Sequence, residues 1–318
     1  MAAGALALGA VLAVGAPRAH SATSNAAIKA LATELEAAVL QSSVVQPLTP
    51  NPALGLQANY GPTNMSWKCN PVRSVSTEPL CKLGNVTAQR TVVLYGDSQT
   101  NMWAPAFDAW GKANNWLVID LHKSSCPPWA GTKPLYFDYT PYPECVKFNT
   151  FALATIKTLH PNVVIPTGLR TLWARGTGEF NGPDRATFTK QVKAALAALK
   201  PLAGRVLMLQ QIPHWKSTAG YPPAPSCIMS QSSNLSACVG LKDSNLLDPT
   251  VNGAFTDAAK ALGIKQVLTT QLFCTSTKCP QVSGNRVIYA DPWHYTRVWA
   301  QHIAPALGDL LAAQGLSK

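Results

Sequence analysis

The stretch TVVLYGDS, residues 91–98, decides the fold class of this 318-residue chain. Its apolar part, Thr91–Tyr95, is typical of a short strand buried on both faces of a parallel sheet. The run ends at Gly96, and helical spacing follows from Met102 to Asn114. The stretch therefore predicts a strand that turns into a helix, with Ser98 presented at the turn.

Strand and helix patterns alternate outward from this stretch. Alternation of this kind predicts a parallel sheet covered on both faces, with the active site at the carboxyl ends of the strands. The predicted strands are Trp116–Leu121, Asn162–Pro166, Arg205–Leu209, a weak Lys265–Leu268 and Arg286–Tyr289. The predicted helices are Asn25–Leu40, Cys145–Leu159, Asp184–Leu199, Pro249–Leu262 and Thr296–Ala313. Residues 46–60 read as a linker or lid, and residues 213–243 as a long insertion rich in proline and serine.

Composition limits the function classes. Apolar residues make up 47% and charged residues 13%, so a large buried core is available. The net charge is +11, but the lysines and arginines are scattered, which argues against a nucleic-acid partner. No glycine-rich phosphate loop or cluster of metal ligands stands in the sequence, so we expect no cofactor and no metal.

The eight cysteines fall into four close sequential pairs. Such usage is typical of an oxidising compartment, and none of the pairs has zinc-finger spacing. Eight cysteines allow about 105 pairings, and free thiols are the alternative, but the loop context of each pair favours sequential disulfides. The predicted disulfides are Cys69–Cys81, Cys126–Cys145, Cys227–Cys238 and Cys274–Cys279.

The N-terminal residues are apolar from Ala2 to Ala16, close in length to the core of a signal peptide. No lysine or arginine precedes them, so a remnant of a transmembrane helix is the second interpretation. Both place the rest of the chain outside the cytoplasm, periplasmic or extracellular, with or without a membrane anchor; a cytosolic protein with an incidental apolar start is the third. The expected division is 1–22 signal or membrane segment, 23–68 helical extension and linker, and 69–318 catalytic domain.

A second motif, Asp291-Pro292-Trp293-His294, follows a short predicted strand and precedes the last predicted helix. A serine hydroxyl needs a base within hydrogen-bond reach and a third group that orients the base. His294 is the candidate base and Asp291 its partner, while Ser98 at a helix N-terminus has backbone N–H groups that can stabilise an oxyanion. Taken separately, the motifs are also explained as a turn and helix caps. A doubly wound sheet can bring both to one edge.

Together, these two motifs resemble the Gly-Asp-Ser and Asp-x-x-His blocks of the SGNH, or GDSL-type, esterases and acyltransferases. The resemblance implies a three-layer, doubly wound, flavodoxin-like parallel sheet, with Ser98, His294 and Asp291 as the catalytic residues. The family also takes oxyanion donors from a Gly and an Asn in two middle blocks. Here Gly168 matches the glycine, the asparagine is missing, and Arg170 is a candidate replacement donor.

A narrower resemblance is to the extracytoplasmic SGNH domain found behind membrane acyltransferases of the acyltransferase-3 family. It is carried by GDSQ (96–99), WAPA (103–106), KSSCPP (123–128), PNVVI (161–165) and YADPWHY (289–295). This resemblance implies an acyl donor and a carbohydrate acceptor as substrates, with a membrane acyltransferase as the partner that supplies the acyl group. We expect this chain to depart from that pattern by lacking the multi-helix membrane part.

Three functions stay open at this point. The first is transfer of an acyl group, acetyl above all, to a carbohydrate of the cell envelope, and the second is hydrolysis of acyl esters of envelope glycans or lipids. The third is an inactive glycan-binding module, suggested by the missing asparagine and by tryptophans that could stack on sugars. Those tryptophans are Trp103, Trp129, Trp173, Trp215, Trp293 and Trp299. His122 and His214 stand near predicted strand ends and could line the pocket.

Overall fold

The computed structural model describes residues 25–54, 60–62, 69–169, 183–215, 224–243 and 246–317. Helices and strands alternate along most of the described chain. The α-helices are α1 (Ala26–Leu40), α2 (Ser98–Asn114), α3 (Pro143–Leu159), α4 (Arg185–Leu199), α5 (Ser226–Ser230), α6 (Pro249–Leu262), α7 (Arg297–His302) and α8 (Ala304–Ala312). The strands are β1 (Cys81–Gly84), β2 (Arg90–Gly96), β3 (Trp116–His122), β4 (Val163–Thr167), β5 (Leu207–Leu209), β6 (Gly240–Leu241), β7 (Lys265–Val267), β8 (Lys278–Cys279), β9 (Val282–Ser283) and β10 (Arg286–Val287).

Strand β2 lies inside the central sheet, whose order is β1-β3-β2-β4, and it runs parallel to both of its neighbours. A parallel bridge between Val164 and Val206 links β4 to the segment that leads into β5, and β7 pairs parallel with β5. The fold is therefore a mixed α/β arrangement with a mostly parallel sheet. Because parallel strands end at a common edge, the residues that follow β2 and β4 come together there.

The apolar run in β2 packs on both faces of the sheet. Val92 and Leu94 join one apolar cluster, with side chains from α2 and α8, whereas Val93 and Tyr95 join another, with side chains from α3, α4 and α6. Successive residues of a strand point to opposite faces, so an uninterrupted apolar run needs cover on each side. These two clusters fix the position of β2, whose carboxyl end carries the residues of the site.

The edge strand β1 was not predicted. The sequence indicated only a disulfide loop between Cys69 and Cys81 and a sheet of parallel strands, but Cys81–Gly84 pairs antiparallel with β3, with Cys81 opposite Asp120. The strand is four residues long and ends in glycine, so it is too short to show an alternating pattern. An antiparallel edge strand on an otherwise parallel sheet is a common feature of such folds.

The last helix was predicted as one element from Thr296 to Ala313, and the structure divides it into α7 and α8 at Ile303. Pro305 causes the break, because proline has no N–H to donate to the carbonyl four residues earlier and its ring crowds that carbonyl. The predicted insertion at 213–243 also contains regular structure in its described part, namely α5 and the strand β6, which pairs antiparallel with β8. Both corrections lie at short elements, where spacing alone carries little signal.

Helix α1 of the N-terminal extension packs against the C-terminal part of the chain. Asp309 accepts hydrogen bonds from the N–H groups of Ala27 and Ile28 at 2.9 and 3.0 Å. Glu34 accepts one hydrogen bond from the Ser283 hydroxyl and pairs with His302, both at 2.7 Å. Across the described residues, none of the helices has both the length and the apolar character needed to cross a bilayer. The segment 1–22 lies outside the described residues.

The eight cysteines pair in sequence order in the structure. The pairs are Cys69–Cys81, Cys126–Cys145, Cys227–Cys238 and Cys274–Cys279. The first disulfide attaches residue 69 to the edge strand β1.

Candidate active site

Ser98 is the first residue of α2, which begins four residues earlier than the spacing from Met102 predicted. The Asp97 side chain caps this helix, since its Oδ1 accepts a hydrogen bond from the Gln99 N–H at 2.8 Å. Gly96 is required just before it, because a Cβ there would collide with the main-chain oxygen of Thr167. The turn thus passes close to the end of β4 and leaves Ser98 partly exposed at a helix N-terminus.

Asp97 also joins this turn to the loop that follows β4. Its Oδ2 accepts a hydrogen bond from the Leu169 N–H at 2.9 Å, and the side chain is buried. Burial raises the pKa of Asp97 to about 6, although the N–H groups of Leu169 and Gln99 and the neighbouring histidines oppose the shift. Asp97 therefore fixes the relative positions of the serine turn and the glycine that precedes Leu169.

His294 and Asp291 lie within hydrogen-bond distance of Ser98 and of each other. The His294 Nε2 is 2.8 Å from the Ser98 Oγ. The His294 Nδ1 is 2.8 Å from Asp291 Oδ2 and 3.0 Å from Oδ1. A carboxylate beside Nδ1 favours the tautomer that keeps a proton on that nitrogen, so Nε2 is left to accept the serine proton.

The loop that carries this pair is itself well ordered by hydrogen bonds. Asp291 Oδ1 accepts from the N–H groups of Trp293 and His294 at 2.7 and 2.9 Å, and Ala290 N–H donates to the His294 carbonyl at 2.8 Å. The Gln99 side chain donates to the Trp293 carbonyl at 3.0 Å, which connects the serine helix directly to the loop. Gln99 belongs to the GDSQ block, but no role for it was predicted from the sequence.

Of the two predicted oxyanion residues, the structure describes one. A Cβ on Gly168 would lie 2.7 Å from Pro127 Cβ and 3.3 Å from Asp97 Oδ2, so glycine is the residue that fits beside the serine turn. The next residue, Leu169, donates its N–H to Asp97, and its carbonyl accepts from the Trp129 indole at 2.7 Å. Arg170 lies outside the described residues.

The tryptophans proposed as sugar platforms are mostly in the core. Trp103, Trp129, Trp215 and Trp299 are buried, and Trp173 lies outside the described residues. Trp293 is half-buried, and the ring of His214 meets it edge-on at 4.9 Å. Among the described members of that set, Trp293 is thus the one that is not fully buried.

His122, the other histidine considered for the pocket, belongs to a buried polar cluster at the end of β3. The His122 Nδ1 is 3.1 Å from Asp120 Oδ1, and the backbone N–H of His122 donates to Glu78 Oε1 at 2.9 Å. Burial, followed by the charge of Asp120, raises the pKa of Glu78 to about 10. Glu78 is therefore a neutral carboxylic acid at neutral pH.

Among the described residues, no group of three His, Cys, Asp or Glu side chains is arranged to hold a metal ion.

Tyr60 is a site residue that the sequence did not indicate. It stands at the end of the stretch read as a linker or lid, yet its ring stacks on His294 with the centroids 4.2 Å apart and the planes 7° from parallel. A lone tyrosine in a loop has no spacing or motif that would reveal a contact with a residue more than two hundred positions away.

Taken together, the described side chains form an unbroken chain of hydrogen bonds from Asp291 through His294 to the hydroxyl of Ser98. A base that is oriented by a carboxylate and lies within reach of a serine can take the proton of that serine as it attacks an electrophile. The N-terminus of α2 places backbone N–H groups beside the same oxygen. This geometry is suited to nucleophilic catalysis at a carbonyl carbon.

Comparison with known proteins places the chain in a family. The family model described as "SGNH domain (fused to AT3 domains)" matches residues 68–309. Among solved structures, the periplasmic domain of the lipopolysaccharide acetyltransferase of Salmonella ser. Paratyphi A is similar at 16% identity and a TM-score of 0.51, over 72% of this chain and 86% of that one. Est24, a carbohydrate acetylesterase from Sinorhizobium meliloti, is similar at 12% identity and a TM-score of 0.42, over 71% of this chain and 100% of that one.

No curated protein sequence matches the chain at a significant level. The structural likeness to the Salmonella domain concerns the fold, since the identity is low. The family match extends from just before Cys69 to α8 and includes both blocks that carry Ser98, Asp291 and His294. The chain therefore belongs to the family of SGNH domains that occur fused to AT3 domains.

Proposed function

We propose that this chain transfers an acyl group, acetyl above all, to a hydroxyl of a cell-envelope carbohydrate through an ester on Ser98. The observation that carries the proposal is the 2.8 Å contact between His294 Nε2 and Ser98 Oγ, with Asp291 on the other ring nitrogen. The same contact argues against an inactive binding module, which would have no need of an oriented base beside a serine.

In the first step, Ser98 Oγ attacks the carbonyl carbon of the acyl donor while His294 Nε2 takes the hydroxyl proton. Asp291 stabilises the imidazolium that forms. The backbone N–H of Ser98 donates to the oxyanion, and we expect the N–H of Gly168 to be the second donor. The tetrahedral intermediate then collapses, and His294 gives its proton to the leaving group.

In the second step, a carbohydrate hydroxyl attacks the carbonyl carbon of the Ser98 ester while His294 takes its proton. The bond between Ser98 Oγ and the acyl group then breaks, and His294 returns the proton to Ser98 Oγ. If water attacks instead, the same machinery is an esterase, so the two functions differ only in the acceptor. Membership of a family named for its fusion to AT3 domains favours transfer, with a membrane acyltransferase as the source of the acyl group.

We infer that the chain works outside the cytoplasm. The four disulfides support this, because such bonds persist in oxidising compartments. Residues 1–22 would then serve as an export signal or as part of a membrane helix.

We also infer a three-layer, doubly wound core, which the apolar clusters on both faces of β2 support.

A two-product assay tests the proposed function. The protein is given one activated acetyl donor with envelope glycans, and both free acetate and acetylated glycan are measured. Transfer predicts acetylated glycan, with acetate falling as the acceptor concentration rises. Acetate as the sole product across all acceptors would reject transfer in favour of hydrolysis.

Two serine variants make the assay specific for the proposed nucleophile. Ser98→Ala should abolish both products while leaving any glycan binding intact. Ser74→Ala is the matched control, since Ser74 is an exposed serine outside the site, and it should keep wild-type activity. Turnover that survives in Ser98→Ala would exclude Ser98 as the nucleophile.

A further inference from the structure

The ring of Tyr60 covers one face of the His294 imidazole. The two rings are nearly parallel, 7° apart in plane, with their centroids separated by 4.2 Å. The edges of the imidazole are engaged by Ser98 and by Asp291, so the stack adds a restraint in the direction that those hydrogen bonds leave free. We propose that Tyr60, from the N-terminal extension, is a positioning residue that holds His294 in register with Ser98 and stabilises its protonated form.

Tyr60 is held in place from its main chain. The Arg297 guanidinium donates to the Gly61 carbonyl through Nε and approaches the Tyr60 carbonyl through Nη2 at 3.5 Å. Arg297 opens α7 and lies three residues after His294. His294 and Arg297, which holds the main chain of Tyr60, therefore belong to the same short segment. This segment sets the position of the Tyr60 ring relative to the imidazole.

The turn that follows Tyr60 is shaped to approach the serine helix. Gly61 has a φ of +75°, a backbone conformation that favours glycine, and a Cβ there would collide with the side chain of Asn101. Asn101 lies on α2, one turn after Ser98. The segment of Tyr60 and Gly61 thus lies against both α2, which carries Ser98, and the loop that carries His294.

The chemistry of the stack suits the cation that the reaction forms. When His294 takes the serine proton it becomes an imidazolium, and a cation over the face of an aromatic ring within about 6 Å is stabilised by the ring quadrupole. The Tyr60 hydroxyl stays neutral, because burial and the charges of Asp291 and Asp97 raise the pKa of its phenol. Its ring, rather than its hydroxyl, is the part that contacts His294.

The role rests on the proposed function of Ser98 and His294, so the test needs a reaction that depends on those two residues and on no carbohydrate. Labelling of Ser98 by a fluorophosphonate, followed by intact mass, meets this condition. We expect Tyr60→Leu to lower the labelling rate by roughly fivefold to thirtyfold, the range of a partly desolvated cation–π contact. Tyr60→Phe, which keeps the ring, should stay within about twofold of wild type.

A control variant separates this effect from a general loosening of the extension. Leu31 is a buried residue of α1, and its side chain belongs to the apolar core cluster that α1 covers. Leu31→Ala should lower the thermal midpoint and leave the labelling rate of the folded protein unchanged. If it slows labelling as much as Tyr60→Leu does, the effect comes from the extension as a whole and the positioning role is wrong.

Hydrolysis of p-nitrophenyl acetate and NMR provide readouts that a purely structural residue would not move. Tyr60→Leu should lower kcat with little change in KM. In the NMR spectrum of this variant, the carbon-bound ring protons of His294 should lose the upfield shift caused by the stacked ring. Tyr60→Phe should keep both the wild-type kcat and the upfield shift. Equal rates in wild type and Tyr60→Leu, or an equal loss in Tyr60→Phe, would overturn the positioning role alone. A wild-type protein that is not labelled at all would overturn the proposed function and this role with it.

Discussion

Replacing Asp291 by asparagine should remove most of the activity without unfolding the protein. Asp291 contacts His294 Nδ1 through both carboxylate oxygens, at 2.8 and 3.0 Å, and both side chains are mostly buried, with 16% and 13% exposed. Unit charges about 4 Å apart attract by ~4 kcal/mol at an effective dielectric constant of about 20. That attraction exists only after His294 is protonated, so it acts on the transition state and not on the resting enzyme.

A loss of ~4 kcal/mol corresponds to a fall in kcat of about 10³-fold. An asparagine also offers Nδ1 an amide N–H in one of its two orientations, which favours the wrong tautomer and adds to the loss. Stopped-flow measurement of p-nitrophenol release from p-nitrophenyl acetate gives kcat and KM separately. We expect KM to change little, because the carboxylate does not contact the acyl donor in the proposed mechanism.

Asp309→Asn is the matched control for this experiment. Asp309 is likewise a carboxylate that accepts two backbone hydrogen bonds, from Ala27 and Ile28, but it lies in the contact between α1 and α8. Its loss should lower the thermal midpoint and spare kcat. A fall of less than about tenfold in kcat for Asp291→Asn, in a folded variant, would refute the assignment of Asp291 as the orienting group.

Three further perturbations have defined outcomes. Gly96→Ala should lower the free energy of unfolding in urea by more than ~2 kcal/mol, because the added methyl group meets the main chain at the end of β4; an unchanged urea midpoint would contradict this. Glu78 has a folded pKa of about 10 against an ordinary 4.5, so its contribution to stability is complete below pH 4.5 and is lost as pH rises towards 10. Glu78→Gln should therefore flatten the pH dependence of unfolding between those limits, and parallel curves for variant and wild type would count against a buried neutral acid. Gln99→Leu breaks the link to the Trp293 carbonyl and should lower kcat/KM about fivefold to tenfold, equivalent to ~1 kcal/mol, with wild-type rates arguing against that link.

The parts of the fold that follow from long apolar patterns were predictable. The strand β2 and the helices α4 and α6 are read directly from the apolar spacing, and the structure places them within a residue or two of those expectations. The edge strand β1 and the division of the last helix were not, because four residues carry no period and one proline decides the break. Here local chemistry outweighed the pattern.

The candidate site shows the same division. Ser98, Asp291 and His294 could be named from two short motifs because nucleophile, base and orienting group are restricted to few residue types. Their roles remain proposals, although the structure brings the three side chains into contact. Tyr60 and Gln99 could not be named, because stacking and a single side-chain bond to a carbonyl are satisfied by many residue types at positions set only by the tertiary fold.

The most direct test of the central claim is to trap the acyl group on the protein. Wild-type protein is mixed with an activated acetyl donor, quenched in acid within its first turnover, and measured by intact mass and peptide mapping. The proposal predicts one acetyl group on the peptide that contains Ser98, no adduct in Ser98→Ala, and discharge of the adduct when a glycan acceptor is added. An acetyl group on another residue, or an adduct that persists in Ser98→Ala, would contradict it.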